Sequence, residues 1–175
     1  FNYAEEIFTA AGFSVTDMLF NVVITGAVNL VFTLLAMRLV DNWGRRKLML
    51  LGASGLAIIY IFLGASYFFE WKGMIVLVLV MTAIAAYAMT LAPITWVVLS
   101  EIFPNRIRGA AMAVATTALW IACFILTYTF PILNNLLDAS GTFWLYAFIC
   151  LAGFLFILKK LPETKGKTLE EIEKM

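Results

Sequence analysis

Three charged stretches punctuate an otherwise apolar chain, and their residue types suit ion pairing between neighbouring helix ends. The first is Asp41-x-x-Gly44-Arg45-Arg46. Glycine permits a tight reversal there, and the guanidinium groups can reach carbonyls or carboxylates of adjacent helices. The second runs Glu101-Ile102-Phe103-Pro104-x-x-x-Arg108-Gly109, in which Glu101 and Arg108 can pair with each other or with the first turn. The third is Pro162-Glu163-Thr164-Lys165-Gly166. It is followed by Thr168 and Glu171 at capping-box spacing, which predicts a short helix. Taken singly, each stretch is equally well read as a solvated loop.

A second set of groups lies inside the apolar runs, where polar side chains are costly and tend to face a bundle interior. Asn29 precedes Asp41 by twelve residues, about 18 Å at the helical rise of 1.5 Å per residue. Trp120 follows Arg108 by twelve residues, which places it at the same depth. An indole at that depth is away from the interfacial belt where tryptophan is enriched. An amide that both donates and accepts, level with an aromatic face, suits a sugar: hydroxyls need paired hydrogen bonds, and the C–H face of the ring packs on an indole. Helix packing is the alternative account of both residues. Ala92-Pro93-Ile94-Thr95-Trp96 adds a proline that removes a backbone hydrogen bond and kinks its helix. Trp96 falls one turn beyond Ala92 on the same face, where it can close the lower side of a cavity.

The elements that must position these groups are long apolar helices. Of 175 residues, 63% are hydrophobic and 13% charged, against about 25% charged in an ordinary soluble domain. Five segments, roughly 16–40, 47–69, 73–99, 109–133 and 141–160, reach the length of about 20 residues that a bilayer crossing needs. Residues 1–13 read as the outer end of a sixth helix, and residues 161–175 as a tail with a short helix. Polar turns at 41–46, 70–73, 101–109 and 134–141 join the spans. If the first turn is cytoplasmic, alternation puts Arg38, Arg45, Arg46, Lys47, Arg106, Arg108, Lys159, Lys160, Lys165, Lys167 and Lys174 on that side, leaving only Lys72 opposite. The positive-inside rule then places the C-terminus in the cytoplasm and the protein in the plasma (inner) membrane. The start at Phe1, without a methionine, is expected of a piece of a longer protein.

Other classes find little support. The chain has no histidine, and its two cysteines, Cys123 and Cys150, lie within apolar runs. No metal spacing, nucleophile–base pair or phosphate loop is present, so neither an enzyme nor a cofactor is expected. A net charge of +1 argues neither way on nucleic acid, and none is expected as a partner.

In this order and spacing, DxxGRR, SEIFPNxIRG and PETKGKTLEE resemble the sugar porter family of the major facilitator superfamily. The likeness is strongest to its bacterial proton-linked xylose and hexose members and its facilitative glucose members. The resemblance covers essentially the whole chain, from the outer part of the family's seventh helix to the tail. It implies an all-α membrane protein: the C-terminal six-helix domain of the major facilitator fold, five complete spans plus the outer end of a sixth. By the same resemblance Asp41, Gly44, Arg45, Arg46, Glu101 and Arg108, with Glu163 in support, form a network that holds the cytoplasmic side shut. Asn29, Trp96 and Trp120 line the sugar site, and Tyr3 matches an outer-gate or site tyrosine. Leu119 stands where xylose-carrying members have a glutamine, and Ala92 where a glycine usually precedes the proline. Both change the pocket lining and leave the sugar open.

The implied function is transport of a monosaccharide, pentose or hexose, by alternating access. The partners would be that sugar, the N-terminal domain of the same protein and membrane lipid. No carboxylate lies at mid-membrane depth, so any proton coupling must use one outside this chain. A non-transporting sugar sensor on the same fold, a polyol carrier such as one for inositol, and a half-size homo-oligomer are the alternatives.

Overall fold

The structure, a computed structural model, describes residues 15–71, 73–163 and 165, with the side chains of 15–19 and of Asp41 excepted. Tyr3, the partial first span, Lys72 and the cap formed by Thr168 and Glu171 lie outside the described residues. Five helices follow in order: α1 Val15–Trp43, α2 Arg45–Phe68, α3 Met74–Met89, α4 Leu91–Ile102 and α5 Arg108–Lys160. Phe20–Val40, Arg45–Phe68, Met74–Ile102 and Arg108–Lys160 are long and apolar enough to cross a membrane.

The joints differ from the turns expected at 41–46 and 134–141, and from the single span expected at 73–99. The first turn shrinks to Gly44 alone, at φ 88 and ψ 151, because a residue without Cβ can reverse the chain in one step. The segment at 73–99 is not one helix but two, parted at Thr90. Pro93 has no N–H to give the carbonyl of Met89, so the ladder is already open where the break falls. There Thr90 Oγ1 donates to the carbonyl of Ala86 at 2.6 Å.

The loop expected at 134–141 is helical except at Asp138, whose φ of 58 and ψ of 176 interrupt α5. A straight helix of 53 residues would run about 80 Å at 1.5 Å per residue, more than twice a hydrocarbon core of about 30 Å. Instead α5 doubles back into limbs 108–137 and 139–160. Phe130 and Tyr146, eight residues either side of Asp138, stack with centroids 6.4 Å apart.

Between lipid-embedded helices the lipid is as apolar as the core, so close packing and polar contacts must hold them together. The second limb of α5 runs antiparallel to α2, as Arg46 Nη2 donates to the Leu158 carbonyl at 2.7 Å and Trp144 Nε1 to that of Ile61 at 3.3 Å. Trp144 lies against bare backbone at Gly64, where any Cβ would collide with the indole and meet the Ser140 carbonyl at 3.0 Å. Between α1 and α3, buried Thr25 donates its hydroxyl to the Asn21 carbonyl at 2.7 Å, and the same Oγ1 lies 3.4 Å from Met81 Sδ. Leu63, Val76 and Phe143 form one apolar cluster, and Val40, Leu48, Ile94 and Val98 a second beneath the charged end.

Candidate functional site

The ends of α1 and α4, the starts of α2 and α5 and the close of the second α5 limb meet at one end of the bundle. Arg45 is its centre. Its Nη2 and Nε both donate to Glu101 Oε1, at 2.9 and 3.2 Å, and its Nη1 donates to the Val40 carbonyl at 3.4 Å. The two side chains are 16% and 22% exposed, so the pair is partly shielded from water. α2, α4 and the last turns of α1 are thereby tied by one guanidinium.

Glu163 joins from the chain beyond α5. Its Oε1 accepts the N–H of Arg45 at 3.0 Å and of Lys165 at 3.2 Å. The first turn of a helix leaves backbone N–H groups free and carries positive partial charge, so a carboxylate is well placed at the start of α2. The approach needs Gly44: a Cβ there would lie 2.9 Å from Glu163 Oε2. Lys165 Nζ donates in turn to the Asn42 carbonyl at 2.6 Å, fastening the same segment to the end of α1.

Of the residues singled out by sequence, Gly44, Arg45, Glu101 and Glu163 therefore come together. Arg46 turns aside and supplies Nη2 to the C-terminal carbonyls of α5, where a cation opposes the helix dipole. Arg108 does not complete the cluster either. Its Nε donates to the nearby Phe103 carbonyl at 3.3 Å, and its Nη2 is buried without a hydrogen-bond partner among the described residues. Asp41 lies in the last turns of α1.

The candidate sugar-facing residues sit deeper. Asn29 is half-buried on α1, its carbonyl accepting the Thr33 hydroxyl at 2.7 Å. Ala92 lies in the first turn of α4 just past the break, and Trp96 one turn on, 43% exposed. Leu119 and Trp120 lie on the first limb of α5, the indole 61% exposed. The helices that carry Asn29 and Trp120 run unbroken to the charged end, so both stay about 18 Å from it at 1.5 Å per residue. Trp96 lies closer to that end.

Sequence reasoning passed over Asn21 and Thr25, 5% and 2% exposed, which share α1 with Asn29. The signal that marked Asn29, a polar side chain in an apolar span, marked them equally. It also passed over Asn42, whose part is played by its backbone carbonyl and so has no sequence signature.

Against known proteins, the whole chain, residues 1–175, matches the family model described as sugar (and other) transporter. It is 42% identical to the D-xylose-proton symporter of Escherichia coli (strain K12) over 177 residues, covering 98% of this chain and 36% of that protein. It is 40% identical to the arabinose-proton symporter of Bacillus subtilis (strain 168) over 174 residues, covering 99% and 38%. A solved structure of the major facilitator superfamily proton:xylose symporter XylE bound to 6-bromo-6-deoxy-D-glucose superposes with a TM-score of 0.88 at 40% identity. That overlay takes in 98% of this chain and 38% of the other. The chain thus spans a little over a third of the length of the relatives it matches, as an all-helical piece of the major facilitator fold. With its full length matched and its membrane-length helices superposed on a solved relative, the chain belongs to the sugar (and other) transporter family.

Proposed function

We propose that this chain is the C-terminal six-helix domain of a sugar porter, five complete spans and the outer end of a sixth. Together with an N-terminal domain it carries a monosaccharide, pentose or hexose, across the plasma (inner) membrane by alternating access. The observation that carries this reading is the fit of nearly the whole chain to a relative holding a hexose analogue. Asn29 hydrogen-bonds sugar hydroxyls and Trp120 offers its face to the ring, while Tyr3, Ala92, Trp96 and Leu119 line the cavity. The charged end is cytoplasmic, with the C-terminus inside, which agrees with the described basic residues, Arg38, Arg45, Arg46, Lys47, Arg106, Arg108, Lys159, Lys160 and Lys165, falling towards it.

In this reading the cluster of Arg45, Glu101 and Glu163 is a latch. It ties α2, α4 and the segment after α5 into one body, so that the domain rocks as a unit rather than splaying at that end. Arg46 secures the last helix to the same body. Among the described residues Asp17, Asp41, Glu70 and Glu101 fall at or near helix ends and Asp138 at the break in α5, so a proton-coupling carboxylate would come from the N-terminal domain.

Calorimetric sugar binding to the complete protein tests the site. Asn29→Ala and Trp120→Ala should each weaken binding about 10- to 100-fold, the scale of a lost hydrogen-bond pair or aromatic face. Wild-type affinity in both variants removes these residues from the site.

A further inference from the structure

We propose that the seam between α2 and the second limb of α5 is a seat for one anionic phospholipid, its phosphate at the charged end and an acyl chain along the seam. The inference rests on the reading that this end faces the cytoplasmic leaflet. An apolar groove of about 430 Å³ follows the seam, lined by Ser54, Ile58, Ile61, Trp144, Phe148 and Leu151 among others. Ile58, Ile61 and Phe148 are each more than half exposed. Trp144 marks its far end, its indole fixed across the seam by the bond to the Ile61 carbonyl.

The seam from Arg46 to the far end of the groove has the depth of one leaflet. From Arg46 to Ile61 is about 22 Å at 1.5 Å per residue, and half of a bilayer with its headgroups is about 20–22 Å. A lipid with its head at the arginine therefore reaches Trp144 with its tail.

Charge at the head of the groove selects the lipid. Lys47 precedes Ser54 by seven residues and Ile61 by fourteen, two and four helical turns, so it crowns the α2 side of the groove. Lys159 follows Phe148 by eleven residues, three turns, and crowns the α5 side. Both lysines are exposed. Arg46 lies between them, held at Leu158, and its Nε is buried with no hydrogen-bond partner among the described residues. Glu163, the carboxylate that shares a pocket with Lys47, is directed instead at the N–H groups of Arg45 and Lys165. A phosphate that also carries net negative charge, as in phosphatidylglycerol, satisfies these cations; the zwitterionic head of phosphatidylcholine brings a compensating ammonium.

The test uses the complete transporter in detergent, titrated with dioleoylphosphatidylglycerol or dioleoylphosphatidylcholine and read by native mass spectrometry. Phosphatidylglycerol should bind saturably and well above phosphatidylcholine. The double variant K47Q/K159Q, confined to exposed side chains, should weaken it about 30-fold, since each basic residue near an anionic head contributes about a factor of five. Ser54→Phe, which fills the groove and leaves the charges intact, should also weaken it, and free glycerol 3-phosphate should not compete. Equal binding of the two lipids, retention of phosphatidylglycerol by either variant, or competition by glycerol 3-phosphate alone overturns the proposal. Sugar affinity measured alongside separates the two claims: Asn29→Ala should leave lipid binding unchanged, and K47Q/K159Q should leave sugar binding unchanged.

Discussion

Gly52 and Gly55 sit three residues apart on α2, and the same methyl group added to each should move stability in opposite directions. At Gly52 a Cβ would run into Thr90 Oγ1, lie 2.7 Å from Thr90 Cβ and 3.1 Å from Leu91 Cγ. Carbon atoms in good contact are about 3.5 Å apart or more, so α2 and the break at Thr90 would have to part by nearly an ångström. The side chain in the way is not a free tip. Thr90 is 1% exposed, and its hydroxyl is tied to the Ala86 carbonyl. Overpacking of this kind costs about 1–3 kcal/mol, against which alanine returns about 1 kcal/mol of helix propensity. The net expectation for Gly52→Ala is a loss of up to about 2 kcal/mol. At Gly55 nothing lies within 4 Å, so Gly55→Ala keeps the propensity gain of up to about 1 kcal/mol.

Thermal unfolding of the purified protein reads both, at about 2–4 °C per kcal/mol for a domain of this size. Gly52→Ala should lower the midpoint by up to about 8 °C and Gly55→Ala should hold or raise it. Moving the methyl, as in the double variant G52A/T90G, should recover part of the loss, because the colliding Cβ and Oγ1 are gone. Equal midpoints for the two single variants would show that α2 does not approach the break at Gly52, and no recovery in the double variant would place the cost elsewhere.

Gly44→Ala meets two obstacles, a φ of 88 and Glu163 Oε2 at 2.9 Å, and should destabilise by about 2 kcal/mol or more. In a Glu163→Ala background the penalty should fall to the backbone term of about 1–2 kcal/mol, as read by the same unfolding midpoints. Arg45→Lys keeps the charge but replaces a planar fork that reaches Glu101 twice and Val40 once. Amide hydrogen exchange at the start of α2 and the end of α4 should quicken about tenfold, a local loss of roughly 1.4 kcal/mol. Wild-type exchange in that variant would mean that the latch does not hold those ends.

What could be read from the sequence divides along a physical line. Polar groups are scarce in an apolar chain, so each stands out, and the meeting of Arg45 with Glu101 was one of the pairings their types allowed. The apolar lengths marked out the long helices for the same reason. The joints were less legible. Pro93 signalled a kink, yet the break opens at Thr90, since a missing donor frees a carbonyl upstream and the chain relaxes where its neighbours permit. Asp138 sat in an expected loop of eight residues, but a single residue at positive φ reverses the chain. How few residues a reversal needs is set by the packing on either side, here Phe130 on Tyr146.

The contacts least visible in sequence are those made by absence of a side chain. Gly52, Gly55 and Gly64 read alike in an apolar helix, yet Gly52 admits Thr90, Gly64 admits Trp144 and Gly55 admits nothing. A glycine declares that a close approach is allowed without naming the partner, and the partners lie 38 and 80 residues away. In a membrane this matters more than in water, because burying apolar surface between helices gains little over lipid. The architecture therefore rests on two unlike devices: polar ties at one end, whose chemistry is written in the chain, and glycine-admitted contacts along α2, whose partners only the fold reveals. The first set of substitutions should be sensitive to charge and salt, and the second only to volume. If Gly52→Ala responded to ionic strength as Arg45→Lys is expected to, that division of labour would be wrong.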